Sequence, residues 1–166
     1  MKLFFVRHGQ TNYNLRDLCN DDPNKEVHLT DLGKKQARKV AEKMRNIKFD
    51  LVIISEFPRT KETALIIAKD SKAKLKVEPR INDRKTGFDS RPVMEFNEAI
   101  SSDQFNLKFN EGESFQEEKK RVHSFLEELK QYKYEKVLVV THNEVIKIIY
   151  GILNKLSDKE IWNLKI

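Results

Sequence analysis

The chain has 166 residues, 39% apolar and 35% charged, which suits one full-sized domain (residues 1–166) around a single core and excludes an intrinsically disordered chain. No apolar run approaches the about 18 residues of a membrane span, Met1–Val6 is too short an apolar start for a secretory signal, and Cys19 is the only cysteine, so the sequence predicts a cytoplasmic protein with no membrane partner, no disulfide and no cysteine-based zinc cluster. Lys and Arg outnumber Asp and Glu by 32 to 26, but the basic residues lie among acidic ones without interleaved aromatics, which argues against a nucleic-acid partner and leaves small acidic substrates.

In chain order, Lys2–Val6 reads as a first buried strand. Thr30 is placed to cap a helix whose apolar face is Ala37, Val40, Ala41 and Met44. A second strand over Asp50–Ser55 and a helix over Arg59–Lys69 follow, then a third strand over Leu75–Glu78. Residues 80–112 are charged, aromatic and irregular, and read as a lid or substrate-facing insertion. Their Phe residues by themselves favour a satellite core packed by a pair of helices. Ser114 with Glu117 forms a capping box ahead of a stripe of Phe115, Val122, Phe125, Leu126 and Leu129. Lys136–Thr141 is the fourth strand, Asn143–Leu153 a helix, and Ser157 with Glu160 starts a short terminal one. The strands are expected to sit centrally, in an α/β three-layer sandwich whose mostly parallel sheet carries helices on both faces.

In such sheets ligands bind at the carboxyl ends of the strands. Three of those ends are polar here: Arg7-His8-Gly9-Gln10-Thr11 with Asn14 after the first, Ser55 with Arg59-Thr60 after the second, and Thr141-His142-Asn143 after the fourth. Arg7 and Arg59 offer forked donors suited to phosphate oxygens, and Gly9 lets the backbone turn sharply and approach a ligand. Neutral imidazole attacks phosphorus, and a carbonyl holding one ring N–H decides which nitrogen does so. One histidine can then carry a phosphoryl group while the other, protonated, stabilises its equatorial oxygens.

These residues, with Leu29-Thr30, Gly33, Gln36-Ala37, Thr63-Ala64, Gly112-Glu113-Ser114 and Val139-Val140, resemble in order the histidine phosphatase superfamily, also called phosphoglycerate mutase-like. The resemblance implies that His8 is the transient phosphohistidine, that Arg7, Arg59 and His142 bind the phosphate, and that Thr11 and Asn14 add hydrogen bonds. The backbone N–H of Asn143 faces the phosphate from a helix start in this reading. No metal and no organic cofactor is implied. The family's general acid is usually a Glu in a Leu-x-Glu-x-x-x-Gly stretch, and Asp83 takes that place in Ile81–Gly87. As the acid, Asp83 is expected to have a raised pKa. The family commonly continues into a further edge strand, a part that Trp162–Ile166 is placed to play.

The length and Gln10-Thr11 resemble the small phosphatase branch, so a metal-independent phosphomonoesterase acting on a small phosphorylated metabolite is the leading reading. Sugar phosphates, nucleoside-type phosphates such as α-ribazole phosphate, and protein phosphohistidine are the candidate substrates. Mutase-type phosphoryl transfer and a non-catalytic phosphate-binding module are the alternatives. Arg84, Lys85 and Arg91, if they face inward, favour a substrate with a second anionic group.

Overall fold

Four short strands pair side by side into one parallel sheet in the computed structural model, which describes residues 1–165. The strands are β1 (Lys2–Arg7), β2 (Leu51–Ile54), β3 (Lys74–Val77) and β4 (Lys136–Thr141), in the spatial order β1-β4-β2-β3. Only β2 and β4 are central; β1 and β3 form the two edges, so the expectation that all four sit centrally is corrected. The reason is visible in β3, where Lys74 and Lys76 alternate with Leu75 and Val77 and both apolar residues stay exposed.

The period of two along the central strands divides the core. Leu51, Ile53, Val137 and Val139 face α4 (Phe115–Leu129) and α5 (Asn143–Leu153), where Phe115, Val122, Phe125, Ile148 and Ile149 complete one layer. Val52, Ile54, Leu138 and Val140 face the opposite layer, α1 (Asp31–Met44) and α2 (Pro58–Ile67). Helices thus cover both faces, as a fully buried parallel sheet requires.

The caps work as their sequences predict. Thr30 accepts from Gly33 N, and Ser114 with Glu117 and Ser157 with Glu160 close reciprocal capping boxes. The last box opens α6 (Asp158–Asn163). Of the stretch expected to supply a fifth strand, Trp162 and Asn163 are helical, Leu164 and Lys165 pair with no strand, and Ile166 lies outside the described residues.

The 80–112 segment forms one helix, α3 (Val93–Ala99), rather than a pair. Phe88, Phe96 and Ile100 close on Cys19 as a small separate core. The segment is latched to the loop after β1: Cys19 N donates to Arg91 O, Ser90 N to Cys19 O and Val93 N to Asp17 O. Asp21 also accepts from Thr86 N and Gly87 N. Near the start of the segment, Asp83 meets Arg59 from the helix after β2 and His142 at the end of β4. Among the described residues no helix is long and apolar enough to cross a membrane.

Candidate active site

His8 follows β1 directly, and its ring is fixed by the chain beside it. Nδ1 donates to the Gly9 carbonyl at 2.8 Å, which assigns the ring proton and makes Nε2 the acceptor nitrogen. Arg59 Nε donates to that nitrogen at 3.2 Å. Burial, reinforced by His142 and Arg59, pushes the His8 pKa well below its ordinary value, so the ring is neutral at neutral pH. Gly9 has a packing role not foreseen in the sequence: a Cβ there would strike the backbone of Gly33, where the loop crosses the start of α1. Its N–H donates to Thr63 Oγ1 at 3.1 Å, tying the turn to α2.

Arg59, in the first turn of α2, lies at the centre of the site. It reaches Asn20 Oδ1 through Nη1, and Asp83 Oδ2 at 3.1 Å and His142 Nδ1 at 3.3 Å through Nη2. Its guanidinium lies 4.1 Å from the Phe57 ring centroid, which holds the fork flat. His142 stands at the β4–α5 junction, with Nε2 at 2.9 Å from Ser55 Oγ. Because Nδ1 accepts from Arg59, the proton sits on Nε2. Burial lowers this pKa to about 4, Asp83 opposing and Arg59 adding to the shift. The expectation of a protonated second histidine is therefore corrected for the unliganded protein: desolvation of the imidazolium outweighs the one nearby carboxylate.

Asp83 Oδ2 is 3.4 Å from His142 Nδ1, and its side chain is 35% exposed. Burial pushes its pKa up, but in the acid range where His142 is protonated the charge and hydrogen bond of that ring, then Arg59 and His8, hold it far below the usual carboxylate range. The raised pKa expected of Asp83 as an acid is thus corrected to a lowered one. The backbone carrying Asp83 is tied from two sides. Thr141 Oγ1 donates to Ile81 O at 2.6 Å, and Arg121 donates to Arg80 O at 2.8 Å and Asp83 O at 3.3 Å while paired with Glu113. Ligand atoms of His8, Asp83 and His142 lie within 4.8 Å of one another, a spacing a metal ion can share. The Arg59 guanidinium stands among them, however, and its charge makes the place more favourable to an anion than to a cation.

His8, Thr11, Asn14, Arg59, Asp83 and Asn143 line one cavity of about 520 Å³. Arg7 and Gly9 line an adjoining one that shares His8 and Asn14. Asn14 Oδ1 accepts from Thr11 N and Oγ1, closing the turn that sets this wall. Asn20, Ser55 and Thr63 complete the surroundings of Arg59, His142 and Gly9 and were not among the predicted site residues; Ser55 had a signal, its place at a strand end, whereas Asn20 sits in an irregular loop with none. Of the three cations expected to favour a second anion, Lys85 and Arg91 are exposed and outside the main cavity, and Arg84 faces it but pairs with Glu144 at 3.2 Å.

Behind Arg84, Glu118 is fully buried with neither carboxyl oxygen hydrogen-bonded. Burial, then Glu144, pushes its pKa well up. A folded-state pKa above the unfolded value means that the native state binds more protons, so stability is lost as pH rises from the unfolded value of about 4.3 towards the folded one. Glu118→Gln keeps the shape without the charge and is expected to be more stable than the wild type at pH 8 by about 1 kcal/mol, the difference vanishing near pH 4. Urea titrations at the two pH values check this; a Gln variant weaker at pH 8 would show that a charged Glu118 supports Arg84 and Arg121.

The profile of the histidine phosphatase superfamily (branch 1) matches residues 3–166. A metal-independent phosphoserine phosphatase of Arabidopsis thaliana is 31% identical, over 95% of this chain and 70% of its own length. The adenosylcobalamin/alpha-ribazole phosphatase of Escherichia coli is 26% identical, over 100% of this chain and 85% of its own. The crystal structure of the alpha-ribazole phosphatase from Shigella flexneri superposes with a TM-score of 0.91 at 26% identity, covering 100% of this chain and 86% of that one. The chain belongs to the histidine phosphatase superfamily.

Proposed function

We propose that the protein is a metal-independent phosphomonoesterase that works through a phosphohistidine at His8. The observation that carries this reading is the His8 ring itself, neutral, with Nδ1–H held by the Gly9 carbonyl and Nε2 aimed at the Arg59 guanidinium. A phosphate dianion attracted to Arg59, Arg7 and the N-terminus of α5 brings its phosphorus to Nε2. The Nε2 lone pair forms the P–N bond as the ester P–O bond breaks, and the leaving oxygen takes a proton from Asp83. Water then attacks phosphorus, gives its proton to the Asp83 carboxylate, and inorganic phosphate leaves with His8 restored.

Asp83 holds no proton in the unliganded protein, but a bound dianion offsets the cations that keep it ionised and so raises its pKa in the complex. As the acid, Asp83 predicts a split: Asp83→Asn loses about 100-fold on alkyl phosphates and far less on nitrophenyl phosphate, whose leaving group needs no proton. Equal losses on both esters would remove Asp83 from the acid role.

The substrate class follows from the cavity and from relatives named for α-ribazole phosphate and phosphoserine. Leu18, Val93 and Phe96 offer apolar wall, and Tyr13 and Asn97 offer hydrogen-bonding edges, suited to a small metabolite larger than its phosphate. The test is phosphate release from a panel of sugar, nucleoside and amino-acid phosphates with chelator present. Release that survives chelation supports the reading, and release that requires added metal overturns it.

A further inference from the structure

The half of the cavity away from His8 has an unusual electrostatic arrangement. Arg84 is 3% exposed there, with its guanidinium 4.9 Å from the Phe96 ring centroid and 5.5 Å from that of Trp162. Packed between α3 and α6, it has no room to swing towards a ligand, so a partner has to come to it. Behind it lies Glu118, 3.9 Å away. On the cavity side lies Glu144, one residue past Asn143, with Oε1 at 3.2 Å from Nη2 and the side chain still 24% exposed. Lys147, one turn along α5, faces the same cavity and donates from Nζ to the Trp162 carbonyl at 3.2 Å. A carboxylate or second phosphate entering here meets, in front of the guanidinium, a carboxylate of its own sign that already pairs with it through Nη2.

We propose that Glu144 is a specificity-determining residue that screens Arg84 from substrate anions and so selects phosphate esters with an uncharged leaving group. The proposal rests on the phosphomonoesterase reading and narrows its substrate class, placing neutral sugar- or nucleoside-type esters ahead of those carrying a carboxylate. It is selection by a repulsive element more than by an added attraction. The paired cation makes it consequential: removing the Glu144 charge both lifts the repulsion and leaves the Arg84 charge open to an incoming anion.

Glycerol phosphate and phosphoglycerate form a matched pair, differing by a hydroxymethyl group in place of a carboxylate. The quantity to measure is the ratio of kcat/KM on the two esters in the wild type, Glu144→Gln and Glu144→Asp. Glu144→Gln is expected to move the ratio towards phosphoglycerate by at least about tenfold, mostly through KM, while Glu144→Asp, which keeps the charge, stays within about threefold of the wild type. An unchanged ratio in Glu144→Gln overturns the proposal, as does an equal shift in both variants, which would mean packing and not charge. The same ratio read as Kd by calorimetry, with each variant carried in a His8→Ala background, decides the matter independently of turnover. If no ester is hydrolysed by the wild type, the hydrolytic reading fails while the Kd ratio still tests Glu144.

Discussion

His8→Ala is expected to remove phosphate release almost completely, by about 10⁴-fold or more, with the fold intact. Among the described residues His8 lines the cavity with its imidazole whereas the ring of His142 lies behind it, Arg59 has no lone pair to give, and Asp83 is the proposed proton donor. The fold should survive because the ring sits at the end of β1, with Nδ1 bonded to the adjacent Gly9 carbonyl, and the core-forming residues of β1 precede it. Circular dichroism and a denaturant midpoint near that of the wild type would establish this. The pH profile gives a second check. Because burial, His142 and Arg59 hold the His8 pKa well below the ordinary 6.5, the nucleophile stays unprotonated as pH falls through 6.5. Wild-type kcat/KM should therefore show no loss centred on that value that is assignable to His8.

Arg59→Lys is the second large effect, expected to lower kcat/KM by about 10² to 10³-fold despite keeping the charge. The fork meets His8, Asn20, Asp83 and His142 with three nitrogens, and a lysine ammonium on a flexible stem cannot reproduce those directions. Flat packing against Phe57 would be lost as well. Steady-state kinetics on one good ester is enough to see it. A lysine variant within about threefold of the wild type would mean that Arg59 supplies bulk charge and no geometry.

The layers of the fold were readable because the signals were local. Strand β4 and helix α5 fall on the spans expected from Lys136–Thr141 and Asn143–Leu153, and the three caps at Thr30, Ser114 and Ser157 carry their own chemistry. Sheet order was not local. Leu75 and Val77 read as strand and the lysines alternating with them suit an edge, but the pairing with β2 that leaves both apolar side chains exposed is set by contacts distant in sequence. The same divide runs through the site. His8, Arg59 and His142 could be found because each follows a strand, and the fold brings all three together. Their protonation could not, since it depends on how deeply β4 buries His142 and how close Asp83 comes to it. Asn20 and Arg121 escaped notice for a related reason: one lies in a loop and the other on a solvent-facing pattern of α4, yet long-range folding sets them against Arg59 and the Asp83 backbone.

Trapping the covalent intermediate tests the central claim most directly. The protein is mixed with a rapidly hydrolysed phosphate ester, quenched in alkali within the first turnover, and its phosphate content mapped by mass spectrometry. One acid-labile, alkali-stable phosphoryl group on His8, absent from His8→Ala, is the predicted result. Turnover of the same ester with no phosphoryl group on His8 at any quench time, or with an undiminished rate in His8→Ala, would contradict the account.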